Sequence, residues 1–186
     1  MPLILLSTVS PCFLIDASED QYACFTGDVS AGYVFKRDSL FKEVYGLGTV
    51  NVITADGCYY PWRYWGIGTK VGYWQANGHT TILKQSSLSQ EVPVTFYVRA
   101  RKNFTCRLQG YASVGVGFIW MREESYLGSV RQLKGIGEAE IGLRCNLWRC
   151  LDFTRGFRYL FPRQLTHGIQ ADVGGLDLRG GIGCSF

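Results

Sequence analysis

The sequence predicts an all-β fold, an up-and-down antiparallel transmembrane β-barrel of about eight strands. Three observations indicate this. The chain of 186 residues contains 23 Gly, 11 Tyr, 11 Phe and 5 Trp, a composition that suits strands and their turns better than helices. Apolar and polar residues alternate over stretches longer than an ordinary strand of about 5 to 6 residues. Finally, tight turns and longer polar connections follow one another along the chain.

The clearest alternation covers residues 104–120. Even-numbered positions in this stretch are apolar or small, and odd-numbered positions carry most of the polar groups. Successive side chains of a strand point to opposite faces, so one face of this segment is apolar. Residues 90–102 alternate in the same way. The two stretches meet at a short turn, residues 101–103, and therefore predict a long antiparallel hairpin.

Six further stretches alternate less regularly, and Arg155 interrupts one of their apolar faces. These stretches are residues 22–36, 48–55, 64–74, 134–147, 150–161 and 175–186. The total of about eight is an even number, as an up-and-down barrel requires. Tight connections are predicted near residues 58, 102 and 147, and longer ones at 37–46, 76–90, 122–134 and 162–168. Short turns on one rim and longer loops on the other are typical of a membrane barrel.

The chain is expected to form one domain, because compact domains commonly hold about 100 to 200 residues and no linker divides this sequence. Residues 1–18 form a possible signal peptide or its remnant. An apolar run from Leu3 to Leu14 is followed by small and acidic residues, although a cationic start is missing. An ordinary first strand is the alternative interpretation. The barrel domain is predicted over residues 19–186.

Charge and hydropathy limit the possible partners. The net charge of +4 comes from 19 basic and 15 acidic residues scattered along the chain, without the basic run typical of nucleic-acid binding. No apolar run approaches the ~20 residues of a spanning helix. The protein is therefore either soluble or a membrane barrel, and nucleic acid is not expected as a partner.

The polar faces carry both signs of charge in near balance. Paired charges are tolerated inside a narrow barrel, and eight strands leave an interior just wide enough for side chains to fill. We therefore predict a charge network that plugs the interior. Its members are Asp28, Glu91, Arg99, Arg101, Arg107, Glu138, Glu140, Arg144, Asp152, Arg158, Asp177 and Arg179. A soluble lipocalin-like barrel, with its apolar face around a ligand, is the alternative.

Aromatic residues cluster near the predicted strand ends, which is where membrane proteins place Trp and Tyr at the two interfaces. One cluster lies at a predicted turn and the other at the far rim. The first contains Tyr59, Tyr60, Trp62, Tyr64 and Trp65, and the second contains Tyr73, Trp74, Phe118, Trp120, Tyr159 and Phe161.

Three segments carry a resemblance to a known family: "DGCYYPWRYWGIGTKVGYW", "EVPVTFYVRARKNFTCRLQGYASVGVGFIW" and "FRYLFPRQ". Through them the chain resembles the small bacterial outer-membrane β-barrels similar to OmpA, OmpX and OmpW, and most of all predicted barrels of Chlamydia-like bacteria, over approximately residues 24–186. The resemblance implies an outer-membrane location, contact with outer-membrane lipids, and a structural or surface-interaction role such as adhesion or envelope integrity. Envelope or host surface proteins are the partners implied for the outer loops. A narrow pore or transporter for small solutes is the alternative.

The ending "DLRGGIGCSF" is similar to the closing strand of such barrels, which the outer-membrane assembly machinery reads. The resemblance assigns this signal to Ile182, Cys184 and Phe186.

Of the seven cysteines, Cys58 and Cys150 are the candidates for a disulfide, because they fall in predicted tight connections. The sequence has no paired CxxC spacing, and the histidines, His79 and His167, fall in predicted loops. We therefore expect no metal site, no cofactor and no catalytic residues, so the protein is predicted not to be an enzyme.

Overall fold

The structure is a computed structural model, and it describes residues 25–36, 45, 49–79, 86–125, 128–148, 150–162 and 175–186. The predicted N-terminal segment, residues 1–18, lies outside the described residues. So do the predicted loops at 37–46 and 162–168, apart from Tyr45 and Pro162.

Eight strands make up nearly all of the described chain. They are β1 (Phe25–Lys36), β2 (Thr49–Tyr59), β3 (Trp65–His79), β4 (Ser86–Asn103), β5 (Leu108–Ser125), β6 (Gly128–Trp148), β7 (Leu151–Pro162) and β8 (Gly175–Ser185). Each strand pairs antiparallel with its sequence neighbours, and β1 also pairs with β8, which closes the barrel. The predicted fold class and strand number are confirmed.

One rim of the barrel, which we call the short-turn rim, carries residues 60–64, 104–107 and 150 together with both ends of the described chain. Here the Phe104 amide donates to the Leu108 carbonyl at 2.8 Å. The opposite rim is uneven. Strands β4, β5 and β6 have 18, 18 and 21 residues, whereas β7 has 12.

The predicted bounds of two loops on the opposite rim are wrong. Most of 76–90 belongs to β3 and β4, and almost all of 122–134 belongs to β5 and β6, which pair up to Ser125 and Gly128. The β6–β7 pairing stops at Ile136 with Pro162, so the β5–β6 hairpin rises above its neighbour. A spanning strand needs only about 9 to 11 residues. The part of a strand that extends beyond the membrane needs no apolar outer face. Its sequence is therefore polar on both faces, like the sequence of a loop.

The apolar face of the sheet points outward. Val114 is 65% exposed, Val116 68% and Ile182 62%, whereas the alternate positions are buried. In water this exposed apolar surface would be unfavourable by about 25 cal/mol per Å², but it suits a hydrocarbon surround. The soluble barrel with an apolar interior is therefore wrong. Arg155, which interrupted the pattern, is also exposed on this outer face.

Two aromatic residues are placed differently from the expected belts. Tyr59, Trp62 and Trp65 are exposed near the short-turn rim, as predicted. Tyr60 and Trp74 are 2% and 1% exposed and point into the barrel. Strand alternation alone puts Trp74 inside, because its outward neighbour is Tyr73 on the same strand.

An apolar cluster fills the half of the interior that lies toward the opposite rim, and we call it the apolar cap. It consists of Val34, Val50, Val52, Trp74, Ala76, Ile119, Ile136 and Leu160, with Tyr45 and Met121 packed against it. The hydroxyl of Tyr45 lies 3.2 Å from that of Ser87 and donates to Glu123 at 3.4 Å. Burial raises the pKa of Tyr45 above its ordinary value. The cap is therefore a packed apolar cluster on the inner face of the sheet.

Candidate functional site

Below the apolar cap, buried ionic side chains point into the interior, and we call them the charge layer. At its centre the Lys70 ammonium lies 2.9 Å from Glu138 and 2.5 Å from Glu140. All three side chains have 0% exposure. Lys70 is on β3 and the two glutamates are on β6, so these contacts cross the barrel interior instead of running between neighbouring strands.

A second group of contacts lies around Glu138. Thr95 donates a hydrogen bond to this carboxylate at 2.9 Å, and Arg158 lies 3.7 Å from it. Arg158 also binds Asp177 on the neighbouring strand, through Nη2 at 2.6 Å and Nε at 2.8 Å. Two nitrogens on one carboxylate oxygen fix the guanidinium in position. Side chains from three different strands therefore contact Glu138.

Arg99 lies between two tyrosine rings. Its guanidinium is 4.6 Å from the ring centres of both Tyr97 and Tyr111, and it is 2.5 Å from Asp56. The Tyr97 hydroxyl donates to the same Asp56, and the Tyr111 hydroxyl donates to Glu140 at 3.0 Å. A cation between aromatic faces is stabilised by the ring quadrupoles. The tyrosines thus connect the Arg99 pair to the central glutamates.

Glycine makes room for these tyrosines. A Cβ atom at Gly68 would overlap the Tyr97 hydroxyl, and one at Gly142 would overlap the hydroxyl of Tyr111. Both glycines face the interior. A larger residue at either position would displace a ring that contacts Arg99.

Two further pairs lie at the ends of the charge layer. Lys36 binds Glu91 at 2.7 Å, and its ammonium is 4.8 Å from the centre of the Trp74 ring. This pair therefore connects the charge layer to the apolar cap. Toward the short-turn rim, Arg144 binds Asp28 at 3.0 Å.

The interior charges of the described residues are balanced. Seven cations are buried, and they face six buried carboxylates and the nearly buried side chain of Asp28. The cations are Lys36, Lys70, Arg99, Arg101, Arg144, Arg158 and Arg179, and the carboxylates are Asp28, Asp56, Glu91, Glu138, Glu140, Asp152 and Asp177. Because the formal charges sum to zero, this part of the interior carries no net charge that would favour one sign of ion.

Most of the twelve residues predicted for the network face the interior, but their partners differ. Arg179 binds Glu140. Arg101 donates to the Arg63 carbonyl at 3.0 Å and stacks on Tyr60, and Asp152 accepts from Asn146 at 3.1 Å. Arg107 is the exception. It is exposed in the turn before β5, where side chains no longer alternate between faces, so alternation does not predict its direction.

Three charged members were missing from the predicted network: Lys36, Lys70 and Asp56. Both lysines fall on predicted polar faces, so alternation could have included them. The weak alternation before Asp56 predicts a strand only up to residue 55. In the structure β2 extends to Tyr59 and includes Asp56. Alternation puts Tyr97 and Tyr111 on the polar faces of their strands, but it does not predict that both rings contact Arg99.

The predicted C-terminal residues lie along the closing seam of the barrel. Phe186 is 70% exposed, and its amide and carbonyl pair with Phe25 at 2.9 and 3.0 Å. Ile182 faces outward and Cys184 is half-buried.

The two disulfide candidates, Cys58 and Cys150, have different surroundings, and their cross-linking stays a prediction. All five cysteines of the described residues are free thiols. Cys58 has 0% exposure and packs inside the barrel with Tyr60 and Tyr97, because it occupies an inward position of β2. It is therefore inaccessible to a neighbouring protein. Cys150 lies at the rim, in the turn between β6 and β7.

Neither a spanning helix nor a metal site emerges within the part of the chain that the structure describes. No helix there is long and apolar enough to cross a membrane. No group of three or more His, Cys, Asp or Glu side chains there could hold a metal ion. The absence of enzymatic activity stays a prediction.

Comparison with known proteins gives a match in structure only. No protein-family profile and no curated protein matches the sequence. Neisserial surface protein A superposes with a TM-score of 0.68 at 10% identity, covering 88% of this chain and 98% of that one. The outer membrane protein OprG of Pseudomonas aeruginosa gives 0.67 at 14%, covering 89% and 97%. The attachment invasion locus protein Ail of Yersinia pestis gives 0.56 at 16%, covering 89% and 100%.

The fold and the outward apolar face define the class of protein: the chain has the fold of the small eight-stranded outer-membrane β-barrels. The predicted bacterial outer-membrane location agrees with these neighbours. Identities of 10 to 16% extend the likeness to the fold alone. The closer resemblance to barrels of Chlamydia-like bacteria stays a prediction.

Proposed function

We propose that the protein is an outer-membrane barrel with a closed interior and a structural or surface-interaction role, in adhesion or envelope integrity. The observation that supports this proposal is the burial of the inward side chains. The charge layer and the apolar cap lie one above the other, and their central side chains, such as Lys70 and Trp74, are 1% exposed or less. Eight strands leave little room beyond what side chains occupy.

The alternative of a narrow pore is less well supported. An ion passing through would have to separate buried pairs such as Lys70 with Glu140 or Arg99 with Asp56, and then displace the packed cap. Breaking one buried pair costs about 3 to 5 kcal/mol, and several would have to open together. The balanced interior charge also offers no preference for one sign of ion.

The closed interior is tested by conductance. Protein refolded in detergent and inserted into planar lipid bilayers should give no stepwise current. A Lys70→Ala, Glu138→Ala, Glu140→Ala variant removes the centre of the charge layer and is expected to leak, whereas Thr69→Ala, which alters the outward neighbour of Lys70, should stay closed. Stepwise current from the unaltered protein would establish the pore instead.

The surface role is supported by the β5–β6 hairpin, which extends beyond the end of β7. Residues 128–133 of β6 are exposed, including Val130 and Leu133, and they rise above the end of β7. At the same height, Arg122 pairs with Glu124 on β5. The similar barrel Ail is named for attachment and invasion, and one of its structures contains a heparin analogue. A raised hairpin on a rigid barrel provides a comparable contact surface.

Shortening this hairpin tests the surface role. Joining Met121 to Gln132 through a two-residue Asn-Gly turn removes the exposed tip but keeps their register pairing. Bacteria that display the shortened barrel should adhere less to host cells than those with the full barrel, at equal surface amounts. Retained SDS resistance of the unboiled protein shows that the barrel has formed. Equal adhesion would exclude this hairpin as the contact surface.

We further propose that the assembly machinery of the outer membrane recognises the ending of the chain, through Ile182, Cys184 and Phe186. The exposed Phe186 ring at the seam supports this role. A Phe186→Ala variant should assemble more slowly into the membrane, while refolding in detergent at the unaltered rate. Equal slowing in detergent would indicate a contribution to folding instead of recognition.

A further inference from the structure

Two cysteines meet at the short-turn rim. Cys150 lies in the turn between β6 and β7, and Cys184 lies on the last strand. Leu151 is the register partner of Cys184, and the Ser185 amide donates to the Cys150 carbonyl at 2.9 Å. Both cysteines are half-buried free thiols, so a reagent can reach them.

The backbone spacing suits a disulfide. Neighbouring strands are about 4.8 Å apart and a strand advances about 3.3 Å per residue, so Cα atoms one residue out of register are about 6 Å apart. Disulfides join Cα atoms about 4.4 to 6.8 Å apart. Cys150 and Cys184 are therefore spaced for a bond without movement of the strands.

The other described cysteines lack such a partner. Cys58 is buried in the interior, and Cys106 is exposed in the turn between β4 and β5. Cys145 lies on β6, where its register partner is Phe153, so β7 separates it from Cys184.

We propose that Cys150 and Cys184 form a disulfide that ties the last strand to the β6–β7 turn when the short-turn rim faces an oxidising compartment. The oxidant is a disulfide reagent, either oxidised glutathione or the active-site disulfide of a thiol oxidoreductase. One cysteine thiolate attacks a sulfur of that disulfide and releases one thiol. The second cysteine then attacks the mixed disulfide and releases the other thiol. The two cysteines lose two electrons and two protons, which the two released thiols carry away.

This bond would restrain the seam of the barrel. The end of β8 is where Phe186 pairs with Phe25 and closes the sheet. A cross-link between Cys184 and Cys150 holds this end next to the β6–β7 turn, and it also restricts the unfolded chain. The oxidised barrel should therefore resist unfolding better than the reduced one, independently of whether the interior conducts or what the outer surface binds.

Peptide mapping tests the pairing. The full chain is refolded in detergent, oxidised with excess oxidised glutathione, blocked with maleimide and digested with trypsin. Each described cysteine falls on a separate tryptic peptide, so mass spectrometry can assign the link. We expect peptide 150–155 joined to 180–186, and an approximately tenfold fall in maleimide labelling of Cys184 that dithiothreitol reverses. The control variant Cys106→Ser should keep this link.

Other outcomes would overturn the pairing. Full maleimide labelling of both cysteines after oxidation would mean that the pair does not form. A dominant link from either cysteine to another peptide would mean that a different pair is preferred. The peptides concerned are 145–149 with Cys145, 103–107 with Cys106, and 1–36 with Cys12 and Cys24. Because the mapping uses the unaltered chain, it does not depend on the folding of a variant.

Discussion

Replacing Lys70 by Met is the sharpest test of the charge layer. The ammonium lies within 2.9 Å of Glu138 and 2.5 Å of Glu140, at 0% exposure. Removing one partner of a buried ion pair costs about 3 to 5 kcal/mol, because the other charge stays buried without compensation. Here two carboxylates lose a cation, but Arg158 and Arg179 still contact them. We therefore expect a loss of about 4 kcal/mol in the free energy of unfolding. Methionine is also long and unbranched, so the cavity contribution is small.

The loss is measured by urea unfolding in phospholipid vesicles, followed by tryptophan fluorescence. Thr69→Met is the matched control, because Thr69 is the outward neighbour of Lys70 on β3, and it should change the free energy by less than about 0.5 kcal/mol. Neutralising the two carboxylates in the same chain, with Glu138→Gln and Glu140→Gln, should recover part of the loss. A Lys70→Met variant within about 0.5 kcal/mol of the unaltered protein would refute the stabilising role of this contact.

Three further predictions concern the cap, the tyrosines and the lipid-facing surface. Trp74→Ala should lower the free energy of unfolding by about 3 to 5 kcal/mol, as large-to-small core changes do. In the same urea assay, Tyr73→Ala on the outer face should lower it less. Equal losses would argue against the packed cap. Gly142→Ala should destabilise the barrel because the new Cβ would overlap Tyr111, and a neutral result would mean that the ring can move at no cost. Arg155→Leu should stabilise the barrel in lipid by about 1 to 2 kcal/mol, between the interfacial and mid-membrane costs of a lipid-facing Arg; no change would indicate that Arg155 reaches the headgroups.

The strands and their faces could be predicted from the sequence because both depend on local alternation. Inward and outward residues along a membrane strand face opposite solvents, so the period of two is strong where the strand crosses the membrane. The same reasoning explains the errors. Beyond the membrane, residues 122–134 lack the apolar face, so the sequence predicts a loop where β5 and β6 continue. In the turn before β5 the alternation stops, which is why Arg107 was misplaced.

The pairing inside the barrel could not be predicted, because it depends on how far the strands are staggered around the closed sheet. Lys70 on β3 binds glutamates on β6, and Arg144 on β6 binds Asp28 on β1. Neither pair follows from position in the sequence or from neighbouring strands. For the same reason, the proximity of Cys150 and Cys184 appears only once β7 and β8 are in register.

The two halves of the interior follow from the two environments that a membrane barrel meets. Hydrocarbon outside requires an apolar outer face, so the hydrophobic effect gives little reason for an apolar interior, and polar side chains can fill it if every charge has a partner. In the charge layer, pairs such as Lys70 and Glu140 provide such partners and join strands across the barrel. The apolar cap lies on the loop side, next to the pair of Lys36 and Glu91, since Glu91 is the register partner of Trp74. Lys36 belongs to both parts, since it binds Glu91 and lies over the Trp74 ring. Loss of the cap should therefore weaken the charge layer as well, because water reaching Lys36 and Glu91 would screen their attraction.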